Sequence, residues 1–129
     1  MTQPICLSEV AGLPVPRGPF SQGVVAGGEF VFVSGQGPYD AAKGGFVRGT
    51  IAEQTRLTLD CIDRVLHAAG TSRDRVVSCR VYLQPLDQET FKAMNTVYAE
   101  FFGPHKPART TVGVQLLNID VEIDCIALT

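Results

Sequence analysis

Two segments of the chain carry complete helix signals, and the alternating segments around them leave few ways to fold it. From Thr50 to Ala69 the apolar residues Ile51, Leu59, Ile62, Val65, Leu66 and Ala69 recur at three- and four-residue steps, the period of one helix face. Thr50 and Glu53 have the T-x-x-E spacing of a capping box, and Gly70 supplies the left-handed residue that stops a helix. A second helix is predicted from about Gln88 to Phe102. Asp87 is its N-cap, Leu86 and Phe91 form its hydrophobic staple, and Phe91, Met94, Val97, Tyr98 and Phe101 form its apolar stripe. Gly103-Pro104 ends it, because proline cannot continue a helix.

The remaining segments read as strands. Gly23–Ala26 and Glu29–Ser34 flank Gly27-Gly28, a two-residue hairpin signal. Val76–Leu83 alternates, with Val77, Cys79, Val81 and Leu83 on one face and Ser78, Arg80 and Tyr82 on the other. Ala108–Leu116 and Val121–Leu128 are expected to form a final strand pair. This order predicts an α+β domain over residues 1–129, a mixed sheet with two helices on one face. The other face would then carry Tyr82, Ile126 and Leu128 among Arg80, Arg109, Thr111, Gln115, Glu122 and Asp124. A face so mixed usually meets another subunit.

Charge and cysteine usage exclude several functions. With 129 residues, a net charge of −2, a pI of about 5.6 and no run of Lys or Arg, nothing draws in a polyanionic partner, and no nucleic acid is expected. The first twenty residues lack a basic start followed by an apolar block, and no apolar stretch approaches the roughly 20 residues of a membrane helix. The expected location is cytoplasmic, away from any membrane. Cys6, Cys61, Cys79 and Cys125 have no C-x-x-C spacing, and only His67 and His105 are available to join them. They read as core thiols, with neither zinc nor disulfides.

Arg109 is the most suggestive candidate for chemistry. It opens a strand after Pro107-Ala108, and period two groups it with Thr111, opposite Ala108, Val112 and Val114. An arginine pointing away from the helix side can present its planar fork to a carboxylate, or form an interface ion pair. Glu122, beside Asp124, is either a proton shuttle or Arg109's ion-pair partner. Ser34-Gly35-Gln36 closes a strand where glycine permits a ligand to approach. Gly18-Pro19-Phe20-Ser21-Gln22 is a turn whose Phe20 ring can wall a small pocket. Asn95 lies beside the second helix's stripe and is expected to bond backbone near Pro107-Ala108-Arg109. His67 and His105 read as surface residues. There is no Ser-His-Asp order, phosphate loop or metal cluster. These residues alone imply a small anionic-ligand site at a subunit interface.

Taken together, several motifs resemble the Rid/YjgF family: Gly18-Pro19-Phe20-Ser21-Gln22, Ser34-Gly35-Gln36, Gln54, Ala69-Gly70, Asn95-Thr96-Val97-Tyr98, Phe101-Phe102, Pro107-Ala108-Arg109-Thr110, and Val121-Glu122-Ile123 with Ile126-Ala127. The resemblance spans Gly18 to Ala127. It implies a chorismate-mutase-like fold assembled as a homotrimer, with the sheets forming a barrel and three clefts between neighbours. It also implies hydrolysis of 2-aminoacrylate and related enamines or imines to 2-keto acids and ammonia, without metal or organic cofactor. By the same resemblance, Arg109 binds the substrate carboxylate and Glu122 positions water. Ser34, Gly35 and Gln36 form a pocket wall, and Asn95 supports the arginine loop. Phe20, at the family's tyrosine position, and Thr111, on Arg109's face by period two, complete the expected substrate-binding set.

Two features depart from the family pattern. Phe20 stands where many active members have tyrosine, and the link Leu116-Leu117-Asn118-Ile119-Asp120 is shorter than usual. Two other readings remain: a pathway-specific hydrolase of a larger enamine, suited by Phe20, and a non-catalytic ligand-binding or chaperone-like regulator. A ribonuclease role, also attached to the family, is opposed by the acidic pI and the missing basic patch.

Overall fold

In the computed structural model, which describes residues 3–129, both helices start where their caps predict. Thr50 accepts a hydrogen bond from the Glu53 backbone N–H at 3.1 Å and caps helix α1 (Ile51–Ala68). The Thr50 hydroxyl also meets the Glu53 carboxylate at 3.1 Å, so the box closes through side chains. Asp87 caps helix α2 (Gln88–Phe102) by exchanging hydrogen bonds with Thr90.

The strands are β1 (Ile5–Leu7), β2 (Gly23–Val25), β3 (Phe30–Gln36), β4 (Tyr39–Asp40), β5 (Gly45–Phe46), β6 (Val76–Leu83), β7 (Ala108–Gly113) and β8 (Val121–Leu128). The main sheet runs β3-β8-β6-β7, mixed because β6 and β7 are parallel and the other pairs antiparallel. Helix α2 is the crossover between the two parallel strands. Helix α1 packs on α2, β8 and β3. Leu59, Ile62 and Leu66 of α1, Met94, Tyr98 and Phe102 of α2, and Cys79, Val81, Ile123 and Cys125 of the sheet make one core.

Pairing departs from the sequence reading in two places. Residues 108–116 and 121–128 are not a strand pair, because β6 lies between β7 and β8. Strand β8 has apolar side chains enough to be buried between neighbours: Val121, Ile123, Cys125, Ala127 and Leu128 are all buried. Nor do the segments around Gly27-Gly28 make a hairpin; β2 pairs with β1, and β3 pairs with β8. Strand β1, only three residues long, is too short to show a period. On β6 a register shift between Val76 and Ser78 buries Val76 where alternation predicts Val77.

The short link before β8 is clamped. Asn118 turns it with φ +63°, a conformation asparagine tolerates. Fully buried Gln54 donates to the Gly49 carbonyl at 2.9 Å and to the Asp120 carboxylate at 3.0 Å, and accepts from the Asp120 N–H at 2.8 Å. Gln84 accepts from the Leu116 N–H at 2.8 Å, and Arg48 pairs with Asp120 at 2.9 Å. The Arg48 hydrogen bond holds the Asp120 carboxyl below its ordinary value; burial opposes this, and Gln54 and Gln84 add to it. A depressed folded-state pKa contributes stability in full above the unfolded value, here 3.8, and loses it as pH falls through the lower folded value. Acid unfolding followed by circular dichroism should therefore steepen below that pH, and Asp120→Asn should flatten the decline.

Candidate functional site

The parallel register of β6 and β7 decides where Arg109 points. Arg109 lies directly beside Cys79, and Thr111 beside Val81; both neighbours are buried on the helix side. Register partners share a face, so Arg109 and Thr111 point toward α2, not away from the helices as alternation suggested. The residues facing outward are Val112, beside Tyr82, and Thr110, beside Arg80.

Helix α2 and the Gly18 turn build a cradle for this guanidinium. The Arg109 Cζ lies 4.9 Å from the Tyr98 ring centroid, 5.3 Å from Phe20 and 5.6 Å from Phe91. Its Nη1 approaches the Met94 sulfur at 3.9 Å. The Ser21 N–H bonds the Pro107 carbonyl at 3.1 Å and its hydroxyl bonds the Lys106 carbonyl, fastening the turn against the β7 edge. Gly18 passes close enough that a Cβ there would lie 3.0 Å from Arg109 Nη2 and 3.3 Å from Asn95 Nδ2. Any larger residue would press on the guanidinium. Arg17, Phe20, Phe91, Arg109 and Thr111 line a hollow of about 220 Å³.

Arg109 has no acid partner among the described residues. Burial pulls its pKa below the ordinary value, yet an arginine remains charged at neutral pH. Tyr98 cannot serve as counter-ion, because burial pushes its hydroxyl well above the usual range and keeps it neutral. The buried Thr111 hydroxyl and Asn95 carbonyl oxygen have no hydrogen-bond partner either. A half-buried cation without an acid partner, beside a hydroxyl free to donate, is the electrostatic form of an anion site.

The other candidates gather elsewhere. Glu122 lies on the outer face of β8, beside Tyr82, so within one chain it forms no ion pair with Arg109. A Cβ on Gly35 would stand 2.4 Å from its Oε2, and glycine is what lets the carboxylate lie against β3. Asp124 is engaged by Arg80 at 2.9 Å and by the Tyr82 hydroxyl at 2.9 Å, whereas Glu122 has no ion pair among the described residues. Ser34 is exposed, and the Gln36 amide donates back to its carbonyl at 3.2 Å. Gly35 and Gln36 also line a separate 320 Å³ hollow with Tyr39, Phe46, Cys61 and Arg64.

Phe20, Asn95, Arg109 and Thr111 thus converge at the β7 edge, while Ser34, Gly35, Gln36 and Glu122 converge near the β3 edge. Strands β3 and β7 are opposite edges of the sheet, about 14 Å apart at ordinary strand spacing.

Some placements differ from the sequence reading. Asn95 stands beside Gly18 and Arg109, not bonded to the 107–109 backbone. His105 is half-buried, its Nε2 2.6 Å from the Val76 carbonyl and its Nδ1 3.6 Å from Cys6 Sγ, so it is no surface residue. All four cysteines are free, but only Cys79 and Cys125 belong to the core. Tyr98, Phe91 and Met94 read in sequence as core stripe, and no sequence pattern singles out Arg17.

The chain matches the family model described as endoribonuclease L-PSP over residues 11–129. A RutC family protein of Pyrococcus horikoshii is 47% identical over 88% of this chain and 90% of its own. Protein mmf2, mitochondrial, of Schizosaccharomyces pombe is 42% identical over 85% of this chain and 87% of its own. Among solved structures, the Rid-family protein YyfB of Yersinia pestis superposes with a TM-score of 0.87 at 25% identity, covering 99% of this chain and 100% of that one. TdcF of Escherichia coli, crystallised with bound serine, gives 0.71 at 32% identity, covering 95% and 98%. The fold and these relatives define a small Rid-type α+β domain. The chain belongs to the Rid/YjgF family. No helix among the described residues is long and apolar enough to cross a membrane. Because one relative is described as mitochondrial, family membership assigns no compartment here.

Proposed function

We propose that the chain hydrolyses small carboxylate-bearing enamines and imines to 2-oxo acids and ammonia, as a ring of three copies. The observation that carries this reading is the half-buried Arg109 guanidinium, unpaired within a small hollow floored by phenyl rings. The carboxylate of the substrate binds the Arg109 fork, with the Thr111 hydroxyl able to donate a further hydrogen bond. The serine bound to TdcF, a carboxylate ligand of this size, supports the same class.

Hydrolysis also needs a water and a base, and Arg109's own hollow contains no carboxylate. A neighbouring copy that brings its β3 edge to this β7 edge supplies Glu122, Ser34, Gly35 and Gln36. Such a head-to-tail contact closes into a ring when its rotation permits, and the family resemblance supports three copies. Exposed Phe30 and Phe32, the latter 73% exposed, and Val112 and Val114 give the outer face the apolar area an interface uses. Glu122 takes a proton as water attacks the imine carbon and returns one to the departing nitrogen, so that imine plus water gives 2-oxo acid plus ammonia.

Imines released in situ by an amino-acid oxidase should be consumed faster with the protein than without it, and the mass in solution should be three times 13.9 kDa. A stable monomer would overturn the shared site. A trimer that binds 2-oxo acids but accelerates no imine hydrolysis would favour the ligand-binding regulator. Cleavage of RNA as the sole activity would return the chain to the description of its family model.

A further inference from the structure

Arg109 is not the only cation in its hollow. Arg17, in the loop that leads into the Gly18 turn, lines the same 220 Å³ space and, like Arg109, has no acid partner among the described residues. In a chain with net charge −2, two arginines without acid partners among the described residues share a hollow with two phenyl rings and give it a local positive field. One carboxylate satisfies Arg109. It leaves Arg17, an exposed residue lining the same hollow, unmatched.

We propose that the site selects 2-imino dicarboxylates: Arg109 takes the carboxylate next to the imine, and Arg17 takes a second carboxylate at the far end of a short carbon chain. This rests on the hydrolase reading above and adds the substrate's second charge to it. Phe20 fits the assignment, since a phenyl ring packs against the methylene groups between the two carboxylates without competing for either. The hollow is smaller than the 300–1,000 Å³ of drug-sized sites, which suits a metabolite of four or five carbons. Arg17 is exposed, so its grip is partly screened. The dicarboxylate preference should therefore shrink as salt is raised, while the Arg109 contact, less exposed, changes less.

The test compares two imines of equal length, 2-iminoglutarate and 2-iminopentanoate, generated in situ, on the intact protein and on Arg17→Gln. The wild type should favour the dicarboxylate in kcat/KM, and Arg17→Gln should lower the dicarboxylate-to-monocarboxylate ratio about tenfold, the value of one charge-assisted hydrogen bond. An unmoved ratio, or a wild type that favours the monocarboxylate, overturns the proposal. Calorimetric binding of 2-oxoglutarate and 2-oxopentanoate runs beside it. If neither imine is hydrolysed, the hydrolase reading fails, yet an Arg17-dependent preference for 2-oxoglutarate would still support a dicarboxylate site. Equal affinity for both acids would remove that as well.

Discussion

Replacing Arg109 with alanine should lower imine hydrolysis by roughly 10²-fold or more, because two hydrogen bonds to a charged group, each about 1.5–3 kcal/mol, are lost together. Arg109→Lys should recover little, since an ammonium cannot reproduce the fork. The sharper expectation concerns stability. Three aromatic rings around the guanidinium contribute about 0.5–1 kcal/mol each, while withdrawing an unpaired charge from water costs several. The balance is unfavourable in the ligand-free fold. Arg109→Met keeps a long side chain against Met94, Phe91 and Tyr98 but removes the charge, so thermal unfolding should shift upward by a few degrees as activity disappears. Opposite signs mark a residue held for a ligand. A fall in melting temperature together with dissociation into monomers would show instead that Arg109 holds subunits together.

The helices were legible because their signals are local: Thr50 with Glu53, Asp87 with Thr90, and a stripe of period 3.6 in each. Strand pairing was not, because β8 inserts between β3 and β6 through contacts between residues far apart in the chain. Alternation puts Arg109 on the wrong face for a physical reason. It assigns apolar residues to the core, and so places Val112 and Val114 on the helix side and Arg109 outside. The outer face carries exposed Phe30, Phe32 and Val112 among charged residues such as Arg80, Glu122 and Asp124, and the valine of β7 points to that outer side. A strand with apolar and polar residues on both faces carries no clear polar face to orient it. The arginine's cradle was hidden likewise, for Phe91, Met94 and Tyr98 carry the same spacing whether a helix packs on carbon or on a guanidinium. Arg17 carried no periodic signal at all. Gln54 was visible as part of the family pattern, but its task, bonding a link some 66 residues away, was not.

That task makes Gln54→Ala the other large expected effect. Gln54 has no solvent exposure, and its amide satisfies the Gly49 carbonyl, the Asp120 carboxylate and the Asp120 N–H. Truncation leaves the Gly49 carbonyl and the Asp120 N–H unmatched and removes one donor from the Asp120 carboxylate, at about 1–3 kcal/mol for each unmatched buried group before relaxation, so a net loss near 3 kcal/mol is expected. For a domain of this size that corresponds to a fall of roughly 10 °C in melting temperature. Removing Arg48, the exposed partner of the same carboxylate, should change far less, because water replaces it. The functional consequence follows from position. Asp120 stands two residues before Glu122 on β8, which β6 separates from Arg109's strand, so a loosened link displaces the proposed base and leaves the proposed carboxylate clamp in place. Assayed below its melting temperature, Gln54→Ala should lose kcat with little change in KM, and Gln54→Glu, which sets a second carboxylate against Asp120, should do no better. A melting temperature within a degree of the wild type would show that the link holds without the clamp, and an equal loss in KM would place Glu122 in substrate binding instead of in the chemical step.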